Sequence, residues 1–134
     1  MLASFQRMRN LSGVSGLGRV IVADADESCY AMVRQLTAPD RWEVRYAGSS
    51  GELLQALHSG RAQLAVVNLA LVDEEIQEEL IERSRRGLSV VITSDVHDEA
   101  TERKARLMST VFYAPKPVHM HVLRQVFDGA LQTV

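Results

Sequence analysis

The chain has 134 residues, 46% of them hydrophobic and 24% charged, which suits one globular domain with a single core and leaves little room for a second. Its formal net charge of −2 sets up no field that would draw nucleic acid or an anionic membrane, and no apolar run approaches the roughly 20 residues of a membrane-spanning helix. A single cysteine, Cys29, cannot form an internal disulfide, which fits a reduced cytoplasm better than an oxidising compartment.

Residues 1–18 read as a flexible leader or linker ahead of a folded domain over 19–134. They carry Arg7 and Arg9, no acid, and Gly13, Gly16 and Gly18 near their end. An organelle transit peptide is the alternative reading of such an acid-free start. From Arg19 onward two periodicities alternate. Residues 20–23 are a continuous apolar run, as in a strand buried on both faces. Over 27–37, Cys29, Met32, Val33 and Leu36 fall at helical spacing. After Pro39 and Asp40, the residues Trp42, Val44 and Tyr46 alternate with Glu43 and Arg45, which predicts a strand near a sheet edge.

Ser49 and Glu52 have capping-box spacing at the start of a helix carrying Leu53, Leu54 and Leu57 and closed by Gly60. Residues 64–67 form the next buried strand. A helix follows over 73–86, with Ile76, Leu80 and Ile81 inward, acids first, arginines last and Gly87 as its C-cap. Residues 90–92 are a strand, 98–108 a weak polar helix with Ala100, Ala105 and Leu107, and 111–113 the fifth strand. Beyond Pro115-Lys116-Pro117, the residues Val122, Leu123, Val126, Phe127 and Leu131 build a closing helix. The predicted fold is α/β, a (βα)5 doubly wound five-stranded parallel sheet of the flavodoxin-like kind.

Functional groups in such a sheet gather beyond the carboxyl ends of its strands. The first strand delivers Asp24, Ala25 and Asp26, the third Asn68, the fourth Thr93 and Ser94, and the fifth Lys116. In this order, each group behind its strand, the chain from Arg19 to about Leu131 resembles the receiver domains of response regulators, the CheY-like family. That resemblance implies an acidic pair after the first strand, a phosphate-accepting Asp after the third, a Thr or Ser after the fourth and a Lys-Pro after the fifth. It assigns Thr93 and Lys116 as phosphoryl contacts and Tyr113 as the switch aromatic.

The departures are as informative as the matches. Asn68 stands at the acceptor position, and an amide is not a competent nucleophile for acyl phosphate formation. With Asp24 as the first acid, Ala25 replaces the second, and a register slid by one puts Ala23 and Asp24 on the pair and still leaves one acid short; a divalent ion then loses two carboxylate ligands and Asp24 alone is a poor site for it. Asp26 reads as the cap of the first helix. The loop after Asn68 lacks the proline and glycine of the family and carries Asp73, Glu74 and Glu75. Lys116, deprived of phosphate, needs another partner, with Asp24 or the Asn68 carbonyl as candidates. The simplest structural role for Thr93, Asn68 and Lys116 is a polar cluster whose members satisfy one another.

Other features reduce to structure. Cys29 lies on an apolar stripe and reads as a core thiol. His119 and His121 stand at i, i+2, which does not bring both rings to one helical face. The glycines and serines of 48–51 are explained by the capping box without an anion, and the charge run over 74–86 by a solvated helix face.

The sequence therefore predicts a non-enzymatic pseudo-receiver without cofactor or bound magnesium, in the cytoplasm. It would serve as a phosphorylation-independent regulatory module of two-component signal transduction. Its partner would be a protein or an attached output domain in a longer regulator, bound through the fourth helix, fifth strand and fifth helix (98–104, 112–117 and 118–131). Homodimerisation is a further use of that face in the family; neither membrane nor direct nucleic-acid contact is expected. Two alternatives stand beside it. One is a phosphorylatable receiver with a blocked acceptor, Asp73 or Asp26 supplying residual chemistry. The other is a flavodoxin-like domain binding a nucleotide or second messenger.

Overall fold

The computed structural model describes residues 18–108 and 110–132, so the leader reading falls outside it except for Gly18. In chain order the elements are β1 (Gly18–Ala23), α1 (Ser28–Leu36), β2 (Trp42–Ala47), α2 (Ser50–His58), β3 (Leu64–Asn68), a 3-10 turn (Leu69–Leu71), α3 (Glu74–Arg85), β4 (Ser89–Ser94), α4 (Glu99–Arg106), β5 (Thr110–Pro115) and α5 (Met120–Gln132). All strand pairs are parallel and the order across the sheet is β2-β1-β3-β4-β5. This is the (βα)5 doubly wound sheet expected. Winding changes direction between β1 and β3, so side chains beyond those two strand ends share one crevice.

Hydrophobic patterning explains the layers. Every residue of β3 is buried, as a central strand covered on both faces requires, whereas β2 alternates and lies at an edge. On one side Ile21, Val67 and Ile92 pack against Leu53 and Leu57 of α2 and Leu80 of α3. On the other, Val20, Val22 and Val66 meet Cys29 and Val33 of α1 and Leu123 of α5. Trp42 closes the second layer edge-on against Phe127, with ring centroids 5.9 Å apart. Burial pushes the Cys29 thiol up to about 11, in line with a core role.

Helix starts follow the capping chemistry in the sequence. Ser49 accepts from the Glu52 N–H at 3.2 Å, Asp73 from the Ile76 N–H at 2.9 Å and Asp98 from the Thr101 N–H at 2.8 Å. The Glu52 carboxylate, however, reaches the N–H of Gly48 at 3.5 Å, one residue before the N-cap Ser49 to which a capping box would send it. Asp26 is not the cap expected of it: the N-cap of α1 is Glu27, without a side-chain cap bond, and Asp26 accepts from the N–H of Ser28, the first helical residue, at 2.8 Å.

Four expectations need correction. Gly60 does not close α2, which ends at His58 with Ser59 as its cap; a Cβ at Gly60 would instead stand 2.5 Å from Nη1 of Arg19. In α4 the buried residues are Ala105 and, just beyond it, Met108, while Leu107 is 66% exposed and Ala100 lies in solvent. Ile81, expected inward, is only half-buried, whereas Leu54, also half-buried, packs against the core as expected. The fifth strand is longer than expected and carries a bulge: Val90 pairs with Thr110 and Val91 with Phe112, leaving Val111 as an extra residue.

Two glycines make opposite predictions. Gly87 has φ +109°, so Gly87→Ala forces a side chain into the left-handed region and costs about 1 kcal/mol. Gly51 lies in α2 with open space around a built Cβ, so Gly51→Ala stabilises by about 0.4–1 kcal/mol. Urea unfolding of the two variants checks both signs.

Candidate functional site

The crevice between β1, β3 and β5 holds the polar groups that the strands deliver. Asp24 follows β1 directly. Its N–H continues the ladder to the Ala47 carbonyl at 3.0 Å, and its own carbonyl accepts from the Tyr46 hydroxyl at 2.6 Å. Its side chain is 5% exposed, with Oδ1 accepting from the Asp26 N–H at 3.1 Å and Oδ2 lying 2.7 Å from Lys116 Nζ. Lys116 is placed by β5, its N–H bonded to the Ser94 carbonyl at 2.9 Å, and the Lys116–Pro117 peptide is cis.

Asn68 is the last residue of β3 and is 2% exposed. Its Oδ1 accepts from the Ala70 N–H at 2.8 Å, which starts the 3-10 turn. That bond fixes the orientation of the amide and leaves Nδ2 as a double donor. Nδ2 donates to Asp24 Oδ2 at 3.3 Å and to Asp95 Oδ2 at 3.3 Å. Lys116 Nζ also approaches Asp95 Oδ1, at 3.4 Å. The result is a closed ring of two donors and two carboxylates: Lys116 and Asn68 each bridge Asp24 and Asp95.

Asp95 is the member that sequence reasoning missed. It directly follows Ser94, the last residue that the fourth strand contributes in the sequence reading. An acid one residue past a strand end was the available signal. Of the two partners expected for Lys116, Asp24 is the one found. The expected mutual cluster of Thr93, Asn68 and Lys116 is corrected, because carboxylates mediate it. Thr93 is in register with Asn68 and 1% exposed, but its hydroxyl bonds to none of the ring members. Tyr113 is half-buried, and its hydroxyl donates to the Val96 carbonyl at 3.3 Å.

Asp26 is exposed, and the N–H and hydroxyl of Ser28 hold its carboxyl below the ordinary value. A cleft of about 550 Å³ opens beside the ring, lined by Asp26, Met32, Asp95, His97 and Lys116 among others. His119 and His121 do bring their rings together, stacked with centroids 5.7 Å apart, because His119 precedes α5 instead of lying within it.

The resemblance implies an oxygen-ligated divalent ion in this crevice. The groups present do not fit one. Lys116 already sits on Asp24 Oδ2, the Asn68 oxygen is turned to a backbone N–H, and Asn68 offers the carboxylates hydrogens instead of sharing a cation with them. Among the described residues no three His, Cys, Asp or Glu side chains converge as a metal site.

Electrostatics rank the contacts. Burial works against the Lys116 charge, but the hydrogen bond and field of Asp24, with help from Asp95, outweigh it and raise its pKa above 10.5. Asp24 and Lys116 are largely buried, so removing one partner leaves an uncompensated charge at a cost of about 3–5 kcal/mol. The Asp95 side chain is 65% exposed, and its ion pair contributes about 0–1 kcal/mol. Lys116→Met should therefore destabilise the domain by about 3 kcal/mol in urea unfolding at neutral pH. Because the folded pKa is raised, the contribution is complete below the ordinary lysine value of 10.5 and is lost only as pH rises through the folded value. The difference between parent and variant should stay constant over about pH 6 to 9.

No family model matches the sequence. A DNA-binding transcriptional regulator, NtrC of Azospirillum brasilense, is 26% identical over 116 residues, which cover 85% of this chain and 24% of that protein. The chain thus spans about a quarter of the length of this curated relative. Among solved structures, a CheY-like response regulator receiver domain protein from Methanospirillum hungatei aligns with a TM-score of 0.70 at 21% identity, over 87% of this chain and 95% of that one. The signal receiver domain of an HD domain-containing protein from Pseudomonas fluorescens gives 0.72 at 19% identity, over 87% and 96%. A response regulator from Thermotoga maritima gives 0.70 at 18% identity, over 87% and 98%. With its strand order, its Lys116 beyond β5 and its Asp24 beyond β1, the chain has the fold of the CheY-like response-regulator receiver domains.

Proposed function

We propose that this domain is a pseudo-receiver, a regulatory protein-interaction module of signal transduction that works without phosphorylation. One observation carries the reading: the residue at the end of β3 is an amide that spends both of its hydrogens on Asp24 and Asp95. Such a group has no carboxylate oxygen with which to form an acyl phosphate. Lys116 is already neutralised by Asp24, which leaves it poorly placed to receive a phosphoryl charge. The donor set supports the loss of magnesium, and no cofactor is assigned.

The rival reading of a phosphorylatable receiver needs another carboxylate to take over. Asp26 is committed to the start of α1 and Asp73 to the start of α3, where it caps the helix. The nucleotide-binding alternative lacks a glycine-rich phosphate loop. Output is assigned to the face of α4, β5 and α5, directed at a protein partner, a second copy or an attached domain. Leu107, 66% exposed at the end of α4, and Phe112, 39% exposed on β5, supply apolar surface. The relative with a DNA-binding function makes an attached output domain in a longer regulator a natural setting. The domain itself is assigned no nucleic acid or membrane contact, no enzymatic activity and a cytoplasmic location. Among the described residues no helix is long and apolar enough to cross a membrane.

Incubation with a small phosphodonor and magnesium, followed by intact-mass measurement, tests the proposal. The mass should stay unchanged. A gain of one phosphoryl group would overturn it.

A further inference from the structure

The loop from β4 to α4 carries a contact that the sheet does not require. β4 ends at Ser94, and its ladder to β3 and β5 is complete without Asp95. Asp95 is mostly in solvent, yet it turns both oxygens back to the crevice, Oδ2 to the Asn68 amide at 3.3 Å and Oδ1 towards the Lys116 ammonium at 3.4 Å. The residues beside it are held as well. Ser94 Oγ accepts from the Val96 N–H at 3.0 Å and donates to the Val96 carbonyl at 2.8 Å, and the Tyr113 hydroxyl donates to that same carbonyl. Asp98 then caps α4. Side chains from β3 and β5 therefore fasten the loop that starts α4.

We propose that Asp95 is a built-in latch, closing the β4–α4 loop on the crevice with no ligand bound and so fixing the start of α4. This rests on the reading of the site as one that works without phosphate, and it names how that site reaches the partner face. The latch is separable from the floor beneath it. Asp24 keeps Lys116 when Asp95 swings out, because their 2.7 Å contact does not pass through the loop. It is also easily opened, since an ion pair this exposed is weak. Among its own residues α4 buries only Ala105, in its last turn, so its first turn is held by the Asp98 cap and the loop contacts and not by packing.

The test is amide hydrogen exchange and the Asn68 side-chain NH2 signals, followed by NMR in the full chain and in Asp95→Ala. Exchange over 96–102 should accelerate about 3- to 10-fold while β1 and β3 keep the parent rates. The Asn68 NH2 signals should shift, and Asp95→Asn, which keeps one acceptor oxygen, should fall between parent and Asp95→Ala. Unchanged exchange in the loop, or equal acceleration in the sheet, overturns the latch. No phosphodonor is present, so this failure is distinct from a phosphoryl gain in the mass experiment.

Discussion

Two carboxylates can face one crevice at neutral pH only when donors or cations stand between them. Here Asp24 and Asp95 are joined by one ammonium and one amide, Lys116 and Asn68. The four groups come from the ends of β1, β3 and β5 and the loop after β4, so their geometry depends on the strand order that brings those ends together. The contact between Asp24 and Lys116 is the strongest link, because burial makes each charge expensive without the other. The rest of the ring is lighter, and its Asp95 reaches solvent at the start of the loop to α4.

Much of this was legible in the sequence. Continuous apolar runs marked β1, β3 and β4 as central, and alternation in 42–46 marked β2 as an edge. Asp24, Asn68 and Lys116 could be placed because a residue just beyond a buried strand has few directions open to it. Asp95 could not be placed in the same way. Its place one residue past the strand end is visible in the sequence, but it is an exposed loop residue whose direction is set by donors on Asn68 and Lys116. The inward residues of α4 escaped for a related reason: with so few apolar residues the helical period is under-determined, and Met108 took the place expected of Leu107. The reach of Glu52 to Gly48, one position early, depends on side-chain geometry that spacing alone does not specify.

The fold is shared with signal receivers, but a fold of this kind hosts many functions, and the chemistry has to be argued from the crevice. Asparagine and aspartate have nearly the same shape and opposite roles there. The amide donates to both acids and adds no charge. A carboxylate in its place would put three acids around one ammonium, an arrangement that calls for a cation. In the proposed reading the identity of residue 68 governs, together with Ala25, whether the crevice is complete by itself or waits for a metal ion.

Thermal unfolding of the parent and of Asn68→Asp, each with and without millimolar magnesium, probes that statement most directly. The account predicts a parent whose midpoint ignores magnesium, and a variant that melts lower without the ion and recovers with it. A parent midpoint that rises and saturates with magnesium, or a variant equally stable without it, would contradict the account.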